Sequence, residues 1–333
     1  MDRLYNKELK LAYINNYFGE EQTKTTILHL FLKSSDIEKQ YNKDVYAFND
    51  KEITSLLQYM KRDNIMSLSK DVSMFKDYVN WCIVNGQRSE YENGENRFVI
   101  FQATEDLSNY VSKRKVKNKY LTKEELNDLI DYLANPVDQA IIIALYEFVA
   151  GEKLHELRNL TITDVENAKN NNNIIAVKDI NGKQRNIQLS HRTIAIFEEA
   201  FAQKEYALNN GFSLGIGEQQ LADTSYIIRF AQKNKNKISD DEPVQYGSLM
   251  NKLTTIKKYT GYEFITANSL RDTRIIHEVI DVTKEMGLEK ANDEVFRTAF
   301  SNIYKRYDIQ FSETQKYSFR RKYEQVITLK KFD

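Results

Sequence analysis

The chain has 333 residues, of which 41% are hydrophobic and 29% are charged, and its 48 basic residues balance its 48 acidic residues. This length and composition predict about two domains with real hydrophobic cores, and they exclude a disordered or fibrous chain. Eleven glycines and two prolines are too few for a turn-dense β-sandwich. Long helices are therefore expected.

The cysteine, histidine and apolar residues exclude further classes of protein. The single cysteine, Cys82, cannot form an internal disulfide, and its apolar surroundings favour a buried, inert thiol. Together with four scattered histidines it offers no usual spacing of zinc ligands, so neither a metal nor another cofactor is expected. The most apolar run, residues 140–150, is too short to span a bilayer and contains Glu147. We expect a cytoplasmic protein with no membrane partner.

The first 110 residues carry helical patterns. Residues 51–61 follow Asp50, a candidate N-cap, and place four apolar residues on one face, namely Ile53, Leu56, Leu57 and Met60. Residues 69–84 end at a glycine typical of a helix C-cap and carry one apolar stripe, formed by Val72, Phe75, Val79 and Ile83. The opposite face of this helix carries Lys70 and Lys76. These patterns predict a helical domain over residues 1–112.

Basic residues are concentrated in a few segments although the net charge is zero. The most basic segment has no acid, and its cations are Lys113, Arg114, Lys115, Lys117 and Lys119. A second cluster comprises Arg229, Lys233, Lys235 and Lys237, and a third comprises Lys316, Arg320, Arg321 and Lys322. One such cluster is usually solvated surface, whereas several favour a polyanionic partner. We interpret residues 113–120 as a basic linker between two domains.

Residues 121–333 predict a second, mostly helical domain. Thr122 and Glu125 have the spacing of a capping box, in which each side chain satisfies a free backbone N–H at the start of a helix. Two helices are expected over about 123–134 and 137–150.

The pattern changes over residues 173–189, where alternating apolar residues flank Asn181-Gly182. This arrangement is typical of a β-hairpin. Helical periodicity resumes near Ser190 and continues to the end, apart from loops around 210–225 and 233–245. The predicted fold class is therefore mainly α with a small antiparallel β-sheet.

One motif and the hairpin carry a first resemblance to a known family. Residues 151–157 read GEKLHEL, and they are similar to the first arginine motif of tyrosine recombinases, the family that includes phage integrases. Lys153 stands where the family has the arginine, at the opening of a helix. The family also has a lysine on a β-hairpin, which Lys178 matches best, with Lys183 as a rival.

Two later motifs extend the resemblance. Residues 266–273 read TANSLRDT, which keeps the family's second arginine as Arg271 but has Asn268 in place of a histidine. An ion pair with the neighbouring Asp272 is the structural alternative for Arg271. In the last motif, residues 307–317, the resemblance places Tyr317 in the position of the nucleophile and Asp308 in that of a second histidine.

The resemblance implies a core-binding domain and a catalytic-type domain that form a clamp around double-stranded DNA. In the family, arginines hold the scissile phosphate with bidentate forks while a tyrosine attacks it. Lys153 keeps the charge but loses the fork, Asn268 cannot exchange protons near neutral pH, and Asp308 repels a phosphate. We therefore expect DNA binding without strand cleavage, and only vestigial catalytic positions.

The expected function is that of a sequence-specific repressor of a phage or prophage. Its partners would be operator-like sites on double-stranded DNA and, as a candidate, a phage regulatory protein. The expected DNA contacts are the linker cations together with Lys70, Lys76, Lys153, Lys178 and Arg271.

Two alternatives remain open. The first is an active but divergent recombinase whose nucleophile is a neighbouring tyrosine, with Tyr304 and Tyr307 as candidates. The second is a helical scaffold with no role at DNA, which the zero net charge favours.

Overall fold

The computed structural model describes residues 4–62, 65–87, 95–102, 107–212, 217–230 and 242–332. The chain divides into two compact units, Met1–Val116 and Lys117–Asp333. The three lysines of the second basic cluster lie outside the described residues. No helix within the described ranges combines the length and the apolar character that a membrane crossing needs.

The first unit is helical, as predicted. Its longer helices are α1 (Lys7–Tyr17), α2 (Glu21–Tyr41), α3 (Asp50–Met60) and α4 (Ile65–Val84), and short 3-10 helices lie at Val45–Ala47, Arg97–Gln102 and Ser108–Tyr110. The four apolar residues predicted for one face of α3 are fully buried, and so is Cys82 on α4. The stripe predicted on α4 lies in the same core, except that Ile83 is partly exposed.

The cap of α3 differs from the prediction by one residue. Asn49, not Asp50, is the N-cap, and its side chain accepts hydrogen bonds from the N–H groups of Lys51 and Glu52. The Glu52 carboxylate accepts a hydrogen bond from the Asn49 N–H in return. This reciprocal pair satisfies more donors than a lone aspartate would, which explains why the helix begins at Asp50 itself.

A buried ion pair lies in the core of the first unit. Lys10 donates a hydrogen bond to Glu38, and both side chains are fully buried. Asp44 lies 3.8 Å from the same ammonium group. Burial raises the pKa of Glu38 to about 7. The remaining lone pairs of Glu38 accept hydrogen bonds from Ser34 and from the Val45 N–H, as a buried carboxylate requires.

The basic segment, which spans the boundary between the two units, is itself helical. Helix α5 (Lys113–Lys119) contains one buried side chain, Val116, and apart from Asn118 its other positions carry the cations. A helix of this length holds the cations at fixed relative positions, which an extended linker would not do.

The second unit places short sheets among helices. Its elements are α6 (Lys123–Tyr132), α7 (Pro136–Tyr146), α8 (His155–Arg158), α9 (Ile162–Asn170), β1 (Ile174–Lys178), β2 (Gln184–Gln188), α10 (His191–Ala202), β3 (Glu205–Ala207), β4 (Glu218–Gln220), α11 (Tyr246–Thr260), α12 (Ala267–Glu285), α13 (Asp293–Tyr307) and α14 (Glu313–Leu329). The capping box at the start of α6 is confirmed. Helix α7 is buried along nearly its whole length and packs against α10 and α12.

Two antiparallel sheets complete the second unit. The predicted hairpin is confirmed as β1–β2, with Ile175 opposite Ile187 and Val177 opposite Arg185. The mainly helical fold with a small antiparallel sheet is thus confirmed, and a second small sheet is added by β3 and β4. Strands of three residues are too short to show alternation, so β4 fell within a stretch that the sequence predicted as a loop.

Arg229 corrects the interpretation of the second basic cluster. Its side chain is buried and donates hydrogen bonds to the carbonyl oxygens of Ala200, Phe201 and Gln203. These carbonyls end helix α10, where a cation is favoured by the free backbone acceptors. Arg229 therefore stabilises a helix end and is not part of a surface patch.

Candidate nucleic-acid interface

Lys153 lies on a tight loop between α7 and α8, residues 147–154, which we call the Lys153 loop. The loop has left-handed backbone at Gly151, Lys153 and Leu154, with φ of 69°, 49° and 56°. Helix α8 begins two residues later than expected, so Lys153 precedes it rather than opening it. The Lys153 side chain is exposed, and it forms no ion pair within the described residues. Left-handed backbone at two consecutive non-glycine residues is costly, so neighbouring groups must hold this loop.

Glu156 is the residue that contributes most clearly to stabilising this loop. Its carboxylate accepts a hydrogen bond from the Ala150 N–H at 3.1 Å, and its side chain is 2% exposed. A Cβ atom at Gly151 would lie 2.8 Å from the Glu156 Cγ, so only glycine fits there. Burial of this carboxylate requires a counter-ion, which Arg185 provides.

Arg185 connects the loop to two other elements from its place on β2. Its Nε and Nη2 donate to the two carboxylate oxygens of Glu156 at 2.7 and 2.6 Å. Nη2 also donates to the Phe148 carbonyl at 2.6 Å, and Nη1 donates to the Tyr307 carbonyl at 2.6 Å. The Lys153 loop, the hairpin and the end of α13 are thereby joined by one guanidinium group.

Tyr307 is a buried structural residue. Its hydroxyl group donates to Glu147 and accepts a hydrogen bond from Arg274 Nε at 2.7 Å. Burial, with Glu147 nearby, raises the pKa of Tyr307 well above its ordinary value. A phenol that is fully buried and doubly hydrogen-bonded is not presented to a ligand in this structure, so Tyr307 is a weaker candidate for the nucleophile than an exposed tyrosine. Tyr304 is 44% exposed.

Arg271 lies on the first turns of α12. Its guanidinium group donates to the Asn268 side chain at 3.1 Å. The neighbouring Asp272 instead pairs with Lys322 at 2.6 Å. The structural alternative, an ion pair between Arg271 and Asp272, is therefore not what this structure contains. Most of the Arg271 fork remains available to a ligand.

The hairpin lysines lie on either side of the β1–β2 connection. Lys178 ends β1 and Lys183 follows the turn, and both are exposed. Asp179 fixes the turn because its carboxylate accepts hydrogen bonds from the N–H groups of Asn181 and Lys183. Both lysines face solvent, so either one could occupy the position of the family's hairpin lysine.

The last motif forms one wall of a groove between α13 and α14. Asp308 is exposed in left-handed conformation at the end of α13, with φ of 51°. Tyr317 lies on α14 with 63% of its surface exposed, and the Arg321 guanidinium lies 5.9 Å from its ring. The groove has a volume of about 750 Å³ and aromatic walls that include Tyr304 and Tyr317.

Three of the four cations of the third basic cluster are paired with acids. Lys316 lies 2.7 Å from Glu313, and Lys322 pairs with Asp272 as described above. Arg320 pairs with both Asp293 and Glu324. Because acids neutralise most of this cluster, it is a weaker candidate for phosphate contact than the sequence suggested.

The remaining candidate cations lie on α4 and α5. Lys113, Arg114 and Lys117 are exposed, and among the described residues they have no acidic partner. Two others have local contacts. Lys115 donates to the Lys61 carbonyl at 3.0 Å, and the Lys119 ammonium lies 5.9 Å from the Tyr120 ring.

On α4, Lys70 is exposed and Lys76 is partly exposed.

The sequence did not assign a structural role to the residues that organise this site, which are Glu147, Arg185 and Tyr307. Glu147 interrupts the apolar run of α7, and Arg185 lies on the inward-facing side of a strand opposite Val177. A charge at such a position needs a buried partner, which is a usable signal. The sequence named Tyr307 only as an alternative nucleophile, and nothing in the local pattern indicated that this tyrosine is buried.

Within the described ranges, no three histidine, cysteine, aspartate or glutamate side chains are grouped in a way that could hold a metal ion. The described site presents exposed lysines, Lys153, Lys178 and Lys183, and the loop that carries Lys153 is held by the buried Glu156 carboxylate.

Comparison with known proteins gives three matches. The family model described as MrpR, C-terminal catalytic domain, matches residues 120–332, and the model described as MrpR, N-terminal core-binding domain, matches residues 4–84. The chain is also similar to the SPbeta prophage-derived uncharacterized protein YopR of Bacillus subtilis (strain 168). The two are 24% identical over 286 residues, which cover 86% of this chain and 84% of YopR.

Proposed function

The chain belongs to the MrpR family of tyrosine-recombinase-like proteins, and on that premise we propose that it binds specific sites on double-stranded DNA without cleaving them. It would act as a transcriptional repressor of a prophage, of the kind represented by the integrase-like master repressor of SPbeta-type prophages. Residues 1–112 would serve as the core-binding domain, residues 113–120 as the basic linker and residues 121–333 as the inactive catalytic-type domain.

One observation carries this proposal. The two cations at the arginine positions, Lys153 and Arg271, have no acidic partner within the described residues. Asp272, next to Arg271, pairs with Lys322, and Glu156, three residues after Lys153, pairs with Arg185. A protein that must attract phosphate keeps such cations free, because counterion release at each contact supplies much of the affinity for DNA.

The positions that would transfer protons support the second half of the proposal. Asn268 has an amide that accepts a hydrogen bond from Arg271, and Asp308 presents a carboxylate to solvent. Neither can act as the proton donor that a leaving oxygen needs near neutral pH. Losing one preorganised group typically costs about a hundredfold in rate, so several losses leave no useful cleavage.

A repressor role suits this combination because repression requires sequence-specific affinity and no turnover. The relative YopR is named as a prophage-derived protein, which supports a role in a prophage for this chain. Exposed cations, Lys70 on α4 and Lys113, Arg114 and Lys117 on α5, would add phosphate contacts to those of the second unit.

An active but divergent recombinase is the second candidate, because Tyr317 and Tyr304 are both exposed. Nicked and phosphorothiolate-containing duplexes, made from fragments recovered by genome-wide footprinting in the native host, distinguish the two. We expect salt-dependent binding and no covalent adduct. An adduct that disappears in Tyr317→Phe or Tyr304→Phe would contradict the proposal, and failure to retain duplex DNA at low salt would favour a scaffold role.

A further inference from the structure

Arg185 occupies an unusual place for a charged residue. It lies on β2 opposite the buried Val177, and its side chain is 14% exposed. A guanidinium group has five N–H donors, and four hydrogen bonds from Arg185 are directed to acceptors within the chain. It therefore has no free fork to offer a phosphate, and its role must be sought in what it holds.

We propose that Arg185 is a positioning residue that holds the Lys153 loop against the β-hairpin, and so places the Lys153 ammonium group for contact with DNA. This inference rests on the proposed function, because it requires Lys153 to contact DNA.

The loop depends on Arg185 through Glu156. The Glu156 carboxylate is buried, and it holds the loop by accepting a hydrogen bond from the Ala150 N–H. Without Arg185 this carboxylate would be a buried charge with no counter-ion, which costs several kcal/mol unless it moves to water or takes up a proton. Either response removes the contact that keeps the left-handed backbone at Lys153 in place.

The same guanidinium group fixes the loop relative to its neighbours. Its bond to the Phe148 carbonyl holds the start of the loop, and its bond to the Tyr307 carbonyl holds the residue before Asp308. Lys178 lies at the end of the paired strand β1. One residue therefore sets the relative positions of the Lys153 loop, the hairpin and the end of α13, and preorganised cations lose less entropy on binding.

The test is a double-mutant cycle on DNA affinity with Lys153→Ala and Arg185→Lys. Arg185→Lys keeps the charge but cannot reach all of the acceptors of the fork. We expect Lys153→Ala to weaken binding to a footprinted duplex by about fivefold in the wild-type chain and by less than about twofold in the Arg185→Lys chain. An equal loss in both backgrounds would overturn the inference.

A second readout needs no DNA. Hydrogen exchange at the Ala150 N–H of the free protein should become faster in Arg185→Lys, because one ammonium group cannot bind both Glu156 oxygens and the Phe148 carbonyl as the guanidinium group does. Arg192→Lys is the matched control, since Arg192 forms an exposed ion pair with Asp131 on other elements, and it should leave this exchange unchanged. Unchanged exchange in Arg185→Lys would overturn the inference whatever the DNA results.

Two further outcomes are distinguishable. If exchange becomes faster but Lys153→Ala has no effect on affinity even in the wild-type chain, the proposed DNA contact of Lys153 is wrong, and the inference fails with it. If Arg185→Lys does not fold, Glu156→Gln removes the charge from the other side of the same pair, and the same loss of coupling with Lys153→Ala is expected.

Discussion

The Tyr307 hydroxyl group donates a hydrogen bond to the carboxylate of Glu147, 160 positions earlier in the chain. Both residues are buried. Glu147 follows directly on the apolar helix α7. A carboxylate can lie at this buried position because two groups compensate it: the Tyr307 hydroxyl group donates to it, and the Arg306 guanidinium group lies 3.5 Å from the same oxygen. The tyrosine that opens the last motif is thus a partner of a buried carboxylate in the core of the second unit.

Tyr307→Phe should therefore destabilise the second unit. The substitution leaves the buried Glu147 carboxylate without its shortest donor and Arg274 Nε without its acceptor, so we expect the free energy of unfolding to fall by about 1–3 kcal/mol. Urea unfolding measures this change. Tyr304→Phe, at an exposed tyrosine on the same helix, should change it by less than about 0.5 kcal/mol. Equal losses in the two variants would contradict the assigned role.

His277 should make stability depend on pH. Its Nε2–H donates to the Leu121 carbonyl at 2.8 Å, so Nδ1 accepts a hydrogen bond from the Tyr146 hydroxyl group and the ring is neutral. Burial lowers the pKa of His277 to about 4. The unfolded chain binds a proton at this histidine near pH 6.5, whereas the folded chain does so only near pH 4. The free energy of unfolding therefore contains the full contribution of the neutral ring above pH 6.5 and loses it, on the order of 3 kcal/mol, as the pH falls to 4.

Urea unfolding between pH 4 and pH 7.5 tests this on the wild type and His277→Gln. The stability difference between the two should shrink towards acid pH, because only the wild type has this histidine. Glu38, whose pKa burial raises to about 7, titrates in the same range but is present in both proteins and cancels in the difference. A difference that does not change with pH would contradict the assigned neutral state.

A buried aspartate in α7 makes a third prediction. Asp138 is fully buried, accepts a hydrogen bond from Tyr206 at 2.6 Å and lies 3.5 Å from the Lys252 ammonium group. Lys252→Met would leave the carboxylate without its counter-ion, and we expect a loss of about 3–5 kcal/mol in the free energy of unfolding. The double variant Asp138→Asn with Lys252→Met should lose less than the single lysine variant, because no charge is then left buried.

Lys258→Met is the control for that cycle, since Lys258 lies exposed on the same helix. It should change stability by less than about 0.5 kcal/mol. If Lys252→Met behaves like Lys258→Met, the buried pair makes no contribution to stability.

Local patterns predicted the helices well because helix caps and apolar stripes are local features. The stripe of α3, the capping box at Thr122 and the hairpin around Asn181-Gly182 all follow from residues within a few positions of each other. The second sheet escaped prediction because its strands are three residues long.

The candidate site was harder to predict because long-range contacts decide which charges are free. Sequence adjacency suggested a pair between Arg271 and Asp272, but the aspartate pairs with Lys322, 50 positions later. Likewise, only the fold reveals that Arg229 is buried among carbonyl groups. The candidate DNA contacts themselves stay predictions.

A fragment experiment tests whether both units contribute to DNA binding. Chains cut near Asn118 should each bind duplex DNA at least about a hundredfold more weakly than the intact chain, because linked binding modules act at a high effective concentration. Filter binding at fixed salt measures the affinities, and an equimolar mixture of the two fragments is the control. If residues 120–332 alone match the affinity and specificity of the intact chain, the two-unit binding mode is wrong.

The last prediction separates phosphate contact from residual chemistry. Arg271→Ala should weaken binding at physiological salt and reduce the salt dependence, since each lost phosphate contact lowers the slope of log affinity against log salt by about one. Lys153→Ala should act in the same direction but less strongly, because lysine meets phosphate as a point charge. Tyr317→Phe should change affinity little, since a hydroxyl group that does not attack adds at most one neutral hydrogen bond.

Arg192→Ala is the matched control, because its exposed guanidinium group already pairs with Asp131, and its slope should equal that of the wild type. A thermal melt establishes that each variant is folded. The decisive comparison is between Arg271→Ala and Tyr317→Phe. If Tyr317→Phe abolishes function while Arg271→Ala leaves both the affinity and the salt slope intact, the groove of Tyr317 is an enzyme site and a non-cleaving DNA-binding function is wrong.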